Sequence, residues 1–529
     1  MRHVEIFDTT LRDGLQVEGV SATVDDKLRI AEQLDLLGVQ FIEGGWPGAN
    51  PKDIEFFARA QHELALTTST LVAFGSTRRP RGKVDDDATL RNLIEANTSA
   101  VCIVAKSSEY QVVEALQTTL DEGAAMIADS VEFLTGQGRM VLVDLEHFFD
   151  GYKANPEFSL RAIEAAVVNG ASHLVLCDTN GGTLPSEVHR IVADVKAHVG
   201  DDAVIGIHCH DDTGCAVANS MAAVEAGAGH VQGTLNGLGE RTGNTNLTTV
   251  IPNLQLKLGY TCLPDGRIER LTAVSHHVAE TLNRAVNPQA PYVGSSAFAH
   301  KAGLHVSAIV RAKDAYEHVD PELVGNGTRF VVSEMAGRAT IQMKADEVGI
   351  ELDGAQINEV IDELKRLEHE GYHFEAADAS LELLMRRAAG QVPEFFRVES
   401  MRVITDELPG GEFSTEATVK VWVGDGDDAE RRVWVAEGNG PVNAIDTALR
   451  KAVGTMLPEL SDIHLTDYKV RILDGSSATG STTRVLLSAT DGTREWTTIG
   501  VSPNIIEASL RALEDSLVYC LLHRSLRAV

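Results

Sequence analysis

Positive charge is scarce in this sequence. Lys and Arg number 46 against 77 Asp and Glu, a formal net charge of −31. Such a surface repels phosphate backbones and anionic headgroups, so neither nucleic acid nor membrane is an expected partner. An anionic substrate would need a local positive centre, either a metal ion or a placed arginine. Cysteine pairing is missing too. The six cysteines (Cys102, Cys177, Cys209, Cys215, Cys262, Cys520) are scattered without a CxxC, which speaks against a disulfide framework and a structural zinc site. No apolar run is long enough to span a bilayer, and Met1 leads into a strand-like segment, His3 to Phe7, without a basic-then-apolar signal. A cytosolic location is the expectation. Nor does a glycine-rich dinucleotide loop follow that segment: Phe7–Gly14 holds a single glycine.

What is present has a globular balance. At 529 residues, 43% hydrophobic and 23% charged, the chain has room for two or three domains. Its first half alternates two periods. Short β-branched runs read as buried parallel strands at Val4–Phe7, Val39–Glu43, Leu71–Phe74, Ala100–Ala105, Met140–Leu145, His173–Cys177, Val204–His208 and Val231–Leu235. Amphipathic helix patterns lie between them at Asp25–Leu37, Pro51–Leu64, Pro156–Val168, Ser186–His198, Ala216–Ala226 and Leu247–Leu258. Several start behind a capping or first-turn residue, as at Asn50-Pro51, Asn155-Pro156 and Pro185-Ser186. Eight strand–helix units in about 260 residues match an α/β fold closed into a (β/α)8 TIM barrel. An open doubly wound sheet is the alternative, and the missing glycine loop argues against it.

From Leu263 to about Phe396 helical patterns take over, at Arg267–Asn283, Ala299–Val310 and Asn358–His369. Strand alternation returns from about Arg397, at Phe413–Val423, Glu430–Val435, Tyr468–Ile472 and Arg484–Ala489. Here Trp434-x3-Gly438-x2-Pro441 recurs as Trp496-x3-Gly500-x2-Pro503, followed by related helices from Asn443 and Asn504. Three regions are expected: a barrel over 1–262, a helical connector over 263–396, and a C-terminal α+β domain over 397–529. The last would consist of two pseudo-symmetric strand–turn–helix halves.

A barrel of this kind builds its site at the carboxyl ends of its strands. The first strand ends in Asp8-Thr9-Thr10-Leu11-Arg12-Asp13-Gly14, the seventh in His208-Cys209-His210-Asp211-Asp212, and the eighth runs into Asn236–Asn244. His208 and His210 are two apart on a strand and point to one side, whereas Cys209 points into the helix layer. With Asp13, and Asn244 at another strand end, they make a nitrogen/oxygen set with open positions, suited to Mn2+, Mg2+ or Zn2+. Arg12 can neutralise a developing oxyanion or form a structural ion pair. Glu146 can orient a base, or merely pair with His147 or Lys153. Thr179, ending the sixth strand, is placed to hold a substrate carboxylate. The basic stretch Arg78–Lys83 is either a contact for ligand phosphates or a solvated loop.

Further motifs run the length of the chain: HKAGLH at His300–His305, YEHVDPELVG at Tyr316–Gly325 and GNGPVNAID at Gly438–Asp446. Together with DTTLRDG, HCHDD and NGLGERTGN, this combination resembles the 2-isopropylmalate, homocitrate and citramalate synthase family. The resemblance implies condensation of acetyl-CoA with a metal-chelated 2-oxo acid, then thioester hydrolysis. It makes Asp13, His208, His210 and Asn244 the metal set, and Arg12 and Glu146 catalytic. It also implies that His305 and Tyr316 reach into a neighbouring subunit's barrel, and hence a homodimer. Two departures stand out: Leu15-Gln16 where many condensing members have Glu-Gln, and Ser307 where some relatives place an acid.

The segments Gly44–Asp53 and Glu146–Lys153 resemble the citramalate branch more than the isopropylmalate branch. That implies pyruvate rather than 2-oxoisovalerate, and isoleucine as the feedback effector. The small polar stretch Asp474–Thr483 suits an amino-acid-binding loop or a plain turn. A lyase running the reverse cleavage would need neither connector nor C-terminal domain, and a non-catalytic sensor would not keep the metal set.

Overall fold

The computed structural model describes residues 2–301, 303–332, 337–424, 426–454, 456–457, 460, 462–473 and 480–528. Most of the stretch Asp474–Thr483, namely 474–479, lies outside them. The chain divides into two compact units, one formed by Met1–Phe298 with Glu317–Thr328, the other by Ala299–Tyr316 with Arg329–Val529.

In the first unit eight parallel strands close into a barrel in chain order. They are β1 (Glu5–Asp8), β2 (Phe41–Gly45), β3 (Thr70–Ser76), β4 (Ala100–Lys106), β5 (Met140–Glu146), β6 (His173–Asp178), β7 (Val204–Cys209) and β8 (His230–Gly233). The seam pairs Glu5 with His230 and Asp8 with Gly233. Strands buried on both faces explain the near-continuous apolar runs. One phase of each strand, such as Ile6, Ile42, Val101, Ile103, Val143 and Ile207, joins the helices in the main core. The other phase fills the barrel with a smaller cluster of Phe7, Phe41, Val72, Phe74, Ala100, Cys102 and Leu142.

The helices begin where local chemistry satisfies their free N–H groups. Thr23 and Asp26 form a reciprocal capping box on helix Val24–Leu37, which Gly38 ends at φ 95°. Asn50 and Asn155 cap helices that open with Pro51 and Pro156. Among the described residues no helix is long and apolar enough to cross a membrane.

The second unit opens with a two-residue pairing of β9 (Ala299–His300) and β10 (Arg329–Phe330) and contains helices Gly303–Arg311, Arg338–Glu347, Gly354–His369 and Asp378–Ala388. Two antiparallel sheets follow, β11 (Phe396–Glu407), β12 (Phe413–Val423) and β13 (Glu430–Gly438), then β14 (His464–Ile472), β15 (Thr483–Thr490) and β16 (Glu495–Ser502). Each is backed by its own helix, Pro441–Gly454 and Ile505–Ala528. The sequence repeat has a physical counterpart. A Cβ on Gly438 would strike Ala444 and Asn443, and one on Gly500 would strike Ala508, so both glycines let a third strand touch its helix.

Candidate active site at the carboxyl ends of the barrel strands

A tight turn behind β1 sets the site. The Asp8 carboxylate accepts the Thr10 N–H at 2.8 Å and the Thr10 hydroxyl at 3.1 Å, while Thr10 Oγ1 accepts the Leu235 N–H at 2.9 Å. Burial pushes Asp8 up to about 7. This turn ties β1 to the chain leaving β8 and presents Arg12 and Asp13 over the barrel mouth.

Asp13 Oδ2 lies 3.3 Å from His208 Nε2 and 3.7 Å from Arg12 Nη1. Burial alone would raise the Asp13 carboxyl, yet Arg12 and His208 hold it well below the usual range. The rings of His208 and His210 stand 5.3 Å apart. His208 Nδ1 contacts Gln232 Oε1 at 2.9 Å, and Gln232 Nε2 donates to Asp144 Oδ1 at 3.0 Å. That chain makes His208 Nδ1 a donor to Gln232 and turns Nε2 toward Asp13, whose carboxylate raises the imidazole's hold on a proton against the opposing effect of burial. His210 bridges to Asn244 through the backbone, and burial next to His208 lowers its imidazole to about 4.

Do these residues fit a cation? His210 Nδ1 and Asn244 Oδ1 are both buried without a hydrogen-bond partner. Orphaned buried acceptors are costly, at about 1–3 kcal/mol each. Here two such unpartnered atoms accompany a carboxylate and a second imidazole, and the three titratable groups offer atoms within 4.8 Å of one another. The donor set suits a divalent ion with open positions.

Around it lies a cavity of about 260 Å³ that brings together Arg12, Asp13, Glu146, Thr179, His208 and His210. The Arg12 Nε donates to Glu43 Oε2 at 2.7 Å, and its guanidinium carbon sits 3.9 Å above the Phe74 ring. Glu43 is pushed up to about 7 by burial, against the pull of Arg12. Thr179 Oγ1 accepts the His147 N–H at 2.8 Å, so its own proton is free to donate into the cavity. His147 holds φ 57° to make that contact. Glu146 pairs with Lys106 at the end of β4, not with His147 or Lys153.

His305 and Tyr316 lie in the second unit, where their rings stack at 4.1 Å. Ser307 accepts from Arg311 Nη2 at 2.9 Å. In the basic stretch, Arg78 is committed to Glu122 at 2.7 Å and Asp129 at 2.6 Å, with only 5% of its side chain exposed. It is a structural ion pair and does not offer its guanidinium to a phosphate. Sequence reasoning missed Glu43, Lys106, Asp144 and Gln232. Their one available signal is a polar residue at an inward phase of an otherwise apolar strand end.

A parallel barrel with a metal-competent set at its carboxyl end is the architecture of metal-dependent carbon–carbon bond enzymes. Residues 3–278 match the family described as HMGL-like, and the chain belongs to it. Residues 292–372 match the homocitrate synthase post-HMGL domain-like family and residues 375–521 the LeuA allosteric (dimerisation) domain. Among curated proteins the chain is 54% identical to the (R)-citramalate synthase of Streptomyces coelicolor, over 98% of this chain and 96% of that protein. It is 50% identical to that of Aquifex aeolicus, over 98% of each. A 2-isopropylmalate synthase of Pyrococcus furiosus is 31% identical over 98% of this chain and 99% of that protein.

Proposed function

We propose that the chain condenses acetyl-CoA with pyruvate and hydrolyses the resulting thioester to (R)-citramalate and CoA, as an acyltransferase of isoleucine biosynthesis. The observation that carries the reading is the pair of orphaned acceptors, His210 Nδ1 and Asn244 Oδ1, beside Asp13 and His208 and next to Arg12. The full-length likeness to (R)-citramalate synthases supports pyruvate over 2-oxoisovalerate.

A divalent ion held by Asp13, His208, His210 and Asn244 would polarise the 2-oxo acid's carbonyl. The chain's own residues supply the rest. Thr179, its acceptor side already occupied by His147, donates to the substrate carboxylate. Arg12 faces the keto oxygen, where negative charge grows as the acetyl methyl carbon adds to the carbonyl carbon. The methyl proton goes to a base, a role we assign to His305 with Tyr316 stacked on it, which by the resemblance reach in from a neighbouring subunit. Glu146, paired with Lys106, orients the donors at the mouth. Water then attacks the thioester carbon and CoA leaves as the thiol. The small cavity, walled by Trp46, Phe74 and Val104, suits a methyl-bearing oxo acid.

The LeuA-type domain supports a homodimer, and isoleucine, the end-product if the substrate is pyruvate, is the effector proposed for it. Six free cysteines, five of them buried, fit a reducing cytoplasm. CoA release with acetyl-CoA and a panel of 2-oxo acids, with and without chelator, tests the reading. Pyruvate should lead 2-oxoisovalerate in kcat/KM by at least roughly 10–200-fold, the worth of one misfitting group in a tight pocket. A preference for 2-oxoisovalerate, or turnover indifferent to chelation, would overturn it.

A further inference from the structure

The opposite end of the barrel carries a second polar cluster. Glu5, His173 and His230 open β1, β6 and β8, and Glu5 faces His230 across the seam where the barrel closes. Both imidazoles are buried, with rings 5.0 Å apart that pack on Phe41 at 5.7 and 5.8 Å. Glu5 keeps 28% of its side chain exposed at the amino-terminal mouth, which leaves a way in.

Hydrogen-bond direction decides what this cluster needs. Ser172 Oγ gives its one proton to the Val141 carbonyl at 2.9 Å, so it meets His173 Nδ1 at 2.9 Å with a lone pair. His173 therefore carries its proton on Nδ1 and turns Nε2 toward Glu5 Oε2, 2.8 Å away. A bare imidazole nitrogen and a carboxylate oxygen repel at that distance unless a cation lies between them. The cation is either a second imidazole proton or a metal ion. His230 Nδ1 lies 3.4 Å from the same oxygen. His230 is fully buried.

Ligands about 2.0–2.1 Å from one ion stand roughly 2.9–3.4 Å apart in octahedral or tetrahedral geometry. The two carboxylate–imidazole separations, 2.8 and 3.4 Å, fall near that span. All three donor atoms lie within 4.8 Å of one another.

We propose that Glu5, His173 and His230 form a second divalent-metal site, of the zinc class, on the barrel floor. Two imidazoles and one carboxylate with open positions are a set that borderline ions favour. The ion would tie β1, β6 and β8 together beside the closing seam and stabilise the folded chain by binding it alone. His173 has the outer partner that usually anchors a ligand, whereas His230 Nε2 is buried without one. Such support is worth roughly 10–100-fold in affinity, so this site binds more weakly than one with both ligands anchored.

The test uses the full chain with His208→Ala and His210→Ala, stripped by chelator and titrated with Zn2+. One equivalent should bind per chain with a rise in Tm, and adding Glu5→Gln should abolish both. In the otherwise unaltered chain, Glu5→Gln should lower bound zinc from two equivalents to one while leaving turnover intact. That retained turnover separates this site from the catalytic one. If Glu5→Gln changes zinc stoichiometry in neither background, the cluster holds only a shared proton and the proposal fails.

Discussion

The residues that sequence made visible and those it hid differ in their surroundings. Asp13, His208, His210 and Asn244 stand in dense polar motifs at strand ends, where an apolar layer ought to stop. Lys106, Asp144 and Gln232 are single polar residues inside apolar runs. Their meaning depends on register: Lys106 lies opposite Glu146, and His208 opposite Gln232. No sequence spacing encodes that adjacency. Removing these supports should have graded effects. Gln232→Leu leaves His208 without the partner that fixes its tautomer and should weaken catalytic-metal affinity roughly 10–100-fold. Calorimetric titration of Mn2+ into the stripped protein reads this, and unchanged affinity would remove Gln232 from the metal set's support. Lys106→Met should lower kcat roughly 100-fold with little change in KM if Glu146 takes part in proton handling. A pure rise in KM would instead make the pair a binding device.

Among elements, the eight barrel strands were legible because burial on both faces writes an unbroken apolar run. Their ends were less so. β1 extends through Asp8, because the turn that carries Arg12 and Asp13 begins with that buried carboxylate. β8 stops at Gly233, two residues before the expected end, since Leu235 enters a tight turn with Asn236 at φ 61°. The pattern at Leu247–Leu258 divides at Pro252, which has no N–H to continue the helix. β11 fills the start of the alternating region expected from about Arg397, with a charged outer phase. The loop after β8 carries the sharpest elemental constraint. Gly243 holds φ 97°, and a Cβ there would run into the Gly237 carbonyl oxygen. Gly243→Ala should cost about 1–3 kcal/mol locally and displace the adjacent Asn244. The expected result is impaired metal retention and activity with the barrel still folded, checked by metal analysis beside far-UV circular dichroism. Full metal occupancy in that variant would show that Asn244 is not a ligand.

For the whole molecule, the two C-terminal halves share a plan but not an environment. The outer face of the second sheet is covered: Leu486, Ile499 and Val501 join the core of the connector helices, with Ile357, Leu364 and Leu381. Among the described residues the first sheet packs its helix, Pro441–Gly454, against one face. Val419, Val421 and Ala436 are buried toward that helix, whereas Val433 and Val435 lie on the opposite phase, 47% and 48% exposed. They sit on β13, an edge strand of its sheet. An open sheet face ending in an apolar edge invites association, and a second copy of this chain is the partner the LeuA-type domain supports. A stable pairing buries about 1,200–2,000 Å² in total, so two carboxylates set in its middle and repeated by symmetry should break it. Val433→Asp with Val435→Asp should therefore move the protein from dimer to monomer at micromolar concentration in sedimentation velocity. If isoleucine acts through the paired domains, the same variant should lose its inhibition, a coupling typically worth about 5–150-fold in apparent affinity. Turnover should fall as well if His305 and Tyr316 serve a neighbouring subunit, and mixing inactive His305→Ala with inactive Arg12→Ala chains should then restore part of the activity. A variant that stays dimeric and isoleucine-sensitive would move the interface to another face. A monomer with full turnover would place each catalytic site within one chain.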